Sequence, residues 1–351
     1  YYKNIIEEII RRTNIVIHYI TSDPEDEVFG MESDQFKPYY IGEHRMIVLM
    51  MKMETDIMVM TTPDLENFQL KRSYVQKDIE YIYVQHDVNS SNLTFHKDAL
   101  DHYDTIFTSG PKNKCEIAER EEKYGLPAKN LVEWGSSVID NMTKAYEEMV
   151  REDGSEEKKD KTVLIAPSWQ KDNILDSCIE GMLDELVKTP YHIIVRPHPQ
   201  YVRHYEARID ALAARYQEQG VTFQKDFSSN KTVYTADILV TDWSSIAFEY
   251  AFATLKPVLF IDTPMKITNP DYQELKTVPI DIELRSKVGI SVQPDAVEDK
   301  IRDSVDKLLF DEQFSRDSLQ KLKEEYIYHN GESGKVGAKY IIDKLVERSG
   351  K

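Results

Sequence analysis

Short apolar runs rich in β-branched residues recur along this chain at 15–20, 57–61, 81–85, 105–109 and 131–134, and again at 163–166, 193–195, 221–223, 238–241 and 258–261. Helical patterns separate most of them, among them 205–219 and 246–254. Strands that alternate with helices form parallel sheets, because each crossover returns the chain to the same end of the sheet and lays a helix on one of its faces. The two series therefore predict an α/β protein made of two doubly wound, Rossmann-like domains. Between them REDGSEEKKDK, 151–161, is charged and poor in core residues, as a linker or exposed hairpin would be. The expected boundaries are 1–150 for the first domain and 151–330 for the second. Helical periodicity at 296–310, 312–328 and 336–348 adds a C-terminal helix within 331–351 that is expected to pack back across the junction.

The length of 351 residues suits two domains of ~150 residues each. With 41% hydrophobic and 30% charged residues the chain is expected to be globular and soluble. A net charge of −18 argues against nucleic acid or an anionic membrane face as a partner over much of the surface. The strongest apolar run, MIVLMMKM at 46–53, is too short to span a bilayer and contains Lys52, so it is read as a core element and not a membrane-dipping one. Cys115 and Cys178 show no metal-ligand spacing, which points to a reducing, cytoplasmic compartment. The chain begins with Tyr1 and not methionine, which leaves an upstream segment open.

Two such domains facing a cleft direct the loops after their strands into it, and ligands of open α/β sheets bind in those loops. In VTDWSSIAFEYA, 240–251, an apolar strand ends at Asp242 and a helix begins just after Ser244 and Ser245. Hydroxyls and unpaired amides at a helix start make an anion site, and Glu249, one turn on, could accept hydrogen bonds from a ribose. The plainer alternative is a serine N-cap with a solvated glutamate. In IVRPHPQ, 194–200, Pro197 and Pro199 stiffen the backbone around His198, and Arg196 can grip phosphate oxygens; a rigid turn with a half-buried histidine is the alternative. In YIYVQHDVNS, 81–90, His86 directly follows a strand and is suited to take a proton from a substrate hydroxyl, with Asp87, Asn89 and Ser90 as candidate acceptor contacts. In IAPSWQKD, 165–172, Ser168 and Trp169 follow the first strand of the second series, and the Trp169 ring either covers a ligand or packs between domains. Gly135-Ser136-Ser137 reads most simply as a helix cap. His86, His96 and His102 do not share a helical face, so a zinc site there is disfavoured. The sequence holds no GxGxxG, Walker, GxSxG or HExxH pattern, and no paired aspartates of the kind that chelate a metal with a nucleotide, so a metal-independent reaction without cofactor is expected.

APSW at 166–169, RPHP at 196–199, ADILVTDWSSIAFEYA at 236–251 and KPVLF at 256–260, with YIYVQHDVNSS at 81–91, together resemble the CDP-glycerol glycerophosphotransferase family, the teichoic acid glycerol-phosphate primases and polymerases. The resemblance implies a GT-B-like fold in which the first domain receives the acceptor and the second binds CDP-glycerol without a metal. It places His86 at the family's proposed catalytic base, His198 at a second histidine near the pyrophosphate, Ser244 and Ser245 at phosphate contacts, and Glu249 where an aspartate is common. Asp87 stands where the family usually has glycine, and Gln170 where it usually has arginine. The implied reaction moves glycerol phosphate, or a related polyol phosphate, from a CDP-activated donor to a hydroxyl of a lipid-linked or polymeric cell-surface glycan. Such acceptors imply contact with the inner membrane face; oligomeric state is left open. A nucleotide-sugar glycosyltransferase or epimerase of the same architecture, and a non-catalytic binding relative, are the alternatives.

Overall fold

The computed structural model describes residues 1–153 and 161–350, so most of the charged stretch read as a linker lies outside the described residues. The strands are β1 (Ile17–Thr21), β2 (Phe36–Tyr40), β3 (Ile57–Met60), β4 (Glu80–Val84), β5 (Thr105–Thr108), β6 (Asn130–Glu133), β7 (Thr162–Ile165), β8 (His192–Val195), β9 (Thr222–Phe223), β10 (Ile238–Thr241), β11 (Val258–Ile261) and β12 (Gly289–Val292). The chain divides into two compact units, one of residues 1–140, 268–277 and 326–351, the other of 141–267 and 278–325.

The second unit is built on a six-stranded parallel sheet in the order β12-β11-β10-β7-β8-β9. Counting from β7, this is the Rossmann order, with the strand sequence reversing direction between β7 and β10. Strands β7, β10 and β11 are buried along their whole length, as continuous apolar runs must be when helices cover both faces. Val163, Ile165, Val195, Val240 and Leu259 share one core with Met182 and Leu183 from helix Ile179–Leu186 and Ile301 and Val305 from helix Val297–Phe310. Each such side chain contributes about 1.5–3 kcal/mol when fully buried. Helix Ile246–Thr254 is apolar nearly all round and buried from Ala247 to Thr254 except at Glu249, so it sits inside the unit with its N-terminus at the carboxyl end of β10.

The first unit carries a four-stranded parallel sheet, β3-β4-β5-β6, and a separate parallel pair, β1-β2. Among the described residues the run at 15–20 thus pairs with β2 alone, a strand that sequence patterning misses because Pro38 interrupts it; proline is tolerated where few ladder bonds are needed. The run 46–53 lies largely in helix Glu43–Met51, whose Met50 joins Tyr81, Tyr83 and Ile106 in one core while Val48 stays exposed. Helix Ser333–Ser349 packs on helix Lys3–Arg12, so the C-terminal helix completes the first unit. Gly334 and Gly337 allow the approach: a Cβ at Gly337 would meet Ile5 at 2.8 Å and the Trp134 indole at 3.1 Å. Trp134, fully buried, donates its indole N–H to the carbonyl of Ser333 at 2.8 Å.

Candidate functional site

The loops after β7, β10, β11 and β8 are neighbours because their strands are, and buried charges hold them together. Asp242 is 1% exposed, and its carboxylate accepts N–H bonds from Ser168 (2.8 Å) and Ile174 (3.3 Å) in the loop after β7, and from Trp243 (2.9 Å) in its own loop. Arg285, also buried, donates to the carbonyl of Asp242 at 2.8 Å and to the Asp262 carboxylate at 2.5 Å, and lies 4.1 Å over the Trp243 ring. A buried carboxylate and a buried guanidinium, each hydrogen-bonded, fix the backbone on both sides of the reversal between β7 and β10.

Around that clamp stand the expected phosphate contacts. Ser168 is 5% exposed, and its hydroxyl is a buried polar atom with no hydrogen-bond partner among the described residues. Ser245 sits at the N-terminus of helix Ile246–Thr254 in helical backbone, and its side chain does not cap the helix. The simple N-cap alternative therefore does not describe Ser245. Ser244 and Ser245 are half-buried beside it, and Glu249 is half-buried in the helix's first turn. Three hydroxyls, one of them deeply buried, and a helix start thus lie in neighbouring loops at one end of the sheet.

Arg196 and His198 follow β8. Arg196 donates to the Asn230 side chain (2.9 Å) and to Thr232 Oγ1 (3.3 Å), and burial lowers its affinity for its proton without approaching neutrality. His198 is the N-cap of helix Pro199–Tyr216, its Nδ1 accepting the Gln200 N–H at 3.1 Å. The neutral ring then carries its proton on Nε2. Burial first, and the charge of Lys266 second, lower its pKa below the usual histidine value. The geometry favours a neutral N–H donor over the imidazolium that sequence reasoning allowed. Trp169 is 37% exposed and stacks on His204 (centroids 5.4 Å apart, 13° between planes) and His198 (6.4 Å, 21°), with Tyr201 and Tyr205 alongside. Gln170 ties its loop to the next, donating to Thr263 Oγ1 (3.3 Å) and to the Pro264 carbonyl (3.0 Å).

A depressed histidine pKa carries a signed pH effect. Above about pH 6.5 the ring is neutral in both folded and unfolded chains; as pH falls below that value the unfolded chain takes up the proton first, so the native state loses stability down through the lowered folded pKa. Trp169 stacks on the His198 ring and on His204, and with Lys266 these groups are the same in both proteins. Melting curves of wild type and His198→Asn, an N-cap that does not titrate, are expected to diverge below pH 6.5, the wild type falling faster. Parallel curves would contradict this account of His198.

In the first unit, His86 leaves β4 with its Nδ1 3.4 Å from Tyr83 Oη and its ring nearly parallel to Phe95, centroids 6.4 Å apart. Burial holds the Tyr83 phenol well above its ordinary pKa, so it is a neutral partner. For Nε2 to act as a base, Nδ1 carries the proton and the Tyr83 oxygen accepts it. Asp87 is held from within: Gln85, 1% exposed, donates its amide to Asp87 Oδ1 (3.2 Å) and to the Asn89 carbonyl (3.3 Å), which also accepts from Asn113 (3.0 Å). Ser90 is fully buried and its hydroxyl caps helix Ser91–Thr94, accepting the Leu93 N–H at 3.1 Å, so it serves the turn. Ser136 caps likewise, accepting from the Ile139 N–H at 3.3 Å. His96 stacks edge-on to Phe68, and no group of three or more His, Cys, Asp or Glu side chains among the described residues is arranged to hold a metal ion. No helix among the described residues is long and apolar enough to cross a membrane.

The clamp residues Asp242 and Arg285, with Gln85 and Lys266, were not singled out as site residues by sequence reasoning. Asp242 alone left a signal, a charge directly after an apolar strand.

Two α/β units built on parallel sheets place the chain in the GT-B fold class. The fold is similar to that of the wall teichoic acid polymerase TagF (TM-score 0.61, 14% identity, covering 99% of this chain and 85% of that one). It is similar as well to the Methanocaldococcus jannaschii UDP-GlcNAc 2-epimerase (TM-score 0.60, 16% identity, 98% and 96% covered) and to a glycosyltransferase from Rickettsia africae (TM-score 0.55, 9% identity, 98% and 94% covered). No curated protein sequence matches significantly. The chain belongs to the CDP-glycerol:poly(glycerophosphate) glycerophosphotransferase family, whose sequence profile matches residues 37–331. It is a phosphotransferase of that family.

Proposed function

We propose that this chain transfers glycerol phosphate, or a related polyol phosphate, from a CDP-activated donor to a hydroxyl of a lipid-linked or polymeric glycan, without a metal and with His86 as general base. The observation that carries the donor assignment is the buried, unpartnered Ser168 hydroxyl in the loop after β7, next to the loop after β10 that leads through Ser244 and Ser245 into helix Ile246–Thr254 where the strand order reverses; Asp242 ties the two loops through the Ser168 and Trp243 N–H groups. That is where open α/β sheets bind nucleotides, and the donors there suit a diphosphate. Glu249 would take the ribose hydroxyls, and Trp169 would shield the nucleotide at the rim.

In the reaction, His86 Nε2 accepts the acceptor hydroxyl's proton as that oxygen bonds to the donor's β-phosphorus. The bond from the β-phosphorus to the oxygen bridging the two phosphates breaks, and CMP leaves with the bond's electron pair. Arg196, the Nε2–H of His198 and the helix start disperse the charge on the phosphate oxygens, which is the main catalytic task in phosphoryl transfer. Asp87, drawn inward by Gln85, does not stand as a free charge against an anionic acceptor.

The test is incubation with labelled CDP-glycerol and polyol-phosphate or glycan acceptors, with and without chelator. CMP and extended acceptor are expected in both conditions. Turnover of UDP-sugars alone would establish a glycosyltransferase or epimerase, and donor binding without CMP release would establish a non-catalytic relative.

A further inference from the structure

We propose that Lys266 is a further donor-binding residue, its ammonium contacting the phosphate oxygens of the donor's diphosphate. The inference rests on the donor assignment above and extends it to a loop that assignment does not use.

Lys266 lies in the loop that leaves β11, and β11 is the direct neighbour of β10, whose own loop carries Ser244 and Ser245. Both loops emerge at the carboxyl ends of their strands, so Lys266 joins the same row of loops as Ser168, Ser245 and His198. The loop is built to stay there. The Trp243 indole N–H donates to the Thr263 carbonyl at 2.7 Å, Gln170 holds Thr263 Oγ1 and the Pro264 carbonyl, and Asp262 is paired with buried Arg285. Three neighbouring elements thus fix the turn just before Lys266, while Lys266 itself is exposed and makes no ion pair among the described residues.

The charge of Lys266 is also the second cause, after burial, that lowers the His198 pKa, in keeping with that loop placement. Arg196 supplies one positive charge and spends two of its donors on Asn230 and Thr232, whereas a diphosphate diester carries two negative charges, which a second cation would match. An exposed, unpaired lysine on a braced turn supplies it at little desolvation penalty.

The experiment compares wild type, Lys266→Ala and Lys266→Arg by calorimetric titration with CDP and with uncharged cytidine as control, and follows His198 by NMR across pH. Lys266→Ala is expected to weaken CDP about ten-fold, a loss typical of one charge-assisted phosphate contact, with cytidine affinity unchanged. Lys266→Arg is expected to restore most of the CDP affinity. In Lys266→Ala the His198 pKa is expected to rise toward its ordinary value, which reports on proximity without any ligand. Equal CDP affinity in wild type and Lys266→Ala overturns the inference while leaving the donor site standing. Equal loss for cytidine and CDP also overturns it, by showing a structural effect. Failure of the wild type to bind CDP overturns the donor assignment and this inference with it.

Discussion

His86→Ala is expected to lower the rate of CMP release by about 10²–10⁴-fold while CDP-glycerol affinity stays within about two-fold of wild type, since a general base contributes on that scale and the donor contacts lie in the other unit. The reason is local. The His86 ring stacks near Phe95 and its Nδ1 faces a phenol that burial keeps neutral, so its orientation is fixed. Tyr83→Phe is accordingly expected to give a smaller loss than His86→Ala, since it removes an orienting contact and leaves the base. Single-turnover rates with saturating donor separate the two steps. Unchanged turnover in His86→Ala would remove this histidine from the chemistry; loss of donor affinity with retained turnover would move it to a binding role.

The second large effect is expected at Asp242. Its carboxylate satisfies two buried N–H groups, of Ser168 and Ile174, and the part-buried one of Trp243, and Asp242→Ala leaves all three without that acceptor. Unsatisfied buried donors cost about 1–3 kcal/mol each, so a destabilisation of about 3 kcal/mol or more and a fall in Tm on the order of 5–10 °C are expected. CDP binding is expected to be lost, because Ser168 and Ser244 are set by the backbone this carboxylate holds. Asp242→Asn keeps one acceptor oxygen and is expected to fall between. If Asp242→Ala melts with the wild type and binds CDP equally well, the clamp is not what aligns the site.

The strands of the second unit were legible because they are buried on both faces: such runs stay apolar from end to end, and β7, β10 and β11 do. β12 escaped because, at the edge of the sheet, it is only partly buried and opens on Gly289, whose missing side chain lets it lie against the Val258 carbonyl. The site was half legible. Residue types after strands marked His86, Arg196, His198 and the serines, since loop chemistry is local. What those side chains do is set by partners distant in sequence: Ser90 turned out to be a cap, His198 a neutral donor, and Asp242 a clamp. Lys266 carried no pattern at all, because an exposed lysine in a loop is the commonest of surface features. Segment 268–277 was equally silent, although Asn269 is 3% exposed and donates to the Asn92 carbonyl at 2.9 Å in the first unit.

That segment has a practical meaning for anyone who would recombine such enzymes. The first unit is woven from three separate stretches of polypeptide, and both the Trp134 indole and the helix bearing Asn92 rely on stretches encoded long after them. A gene fragment stopping near residue 150 would release an incomplete body, and a hybrid joined at a single point would pair one parent's loops with the other's buttresses. Exchange of the first unit between relatives would have to carry all three stretches together.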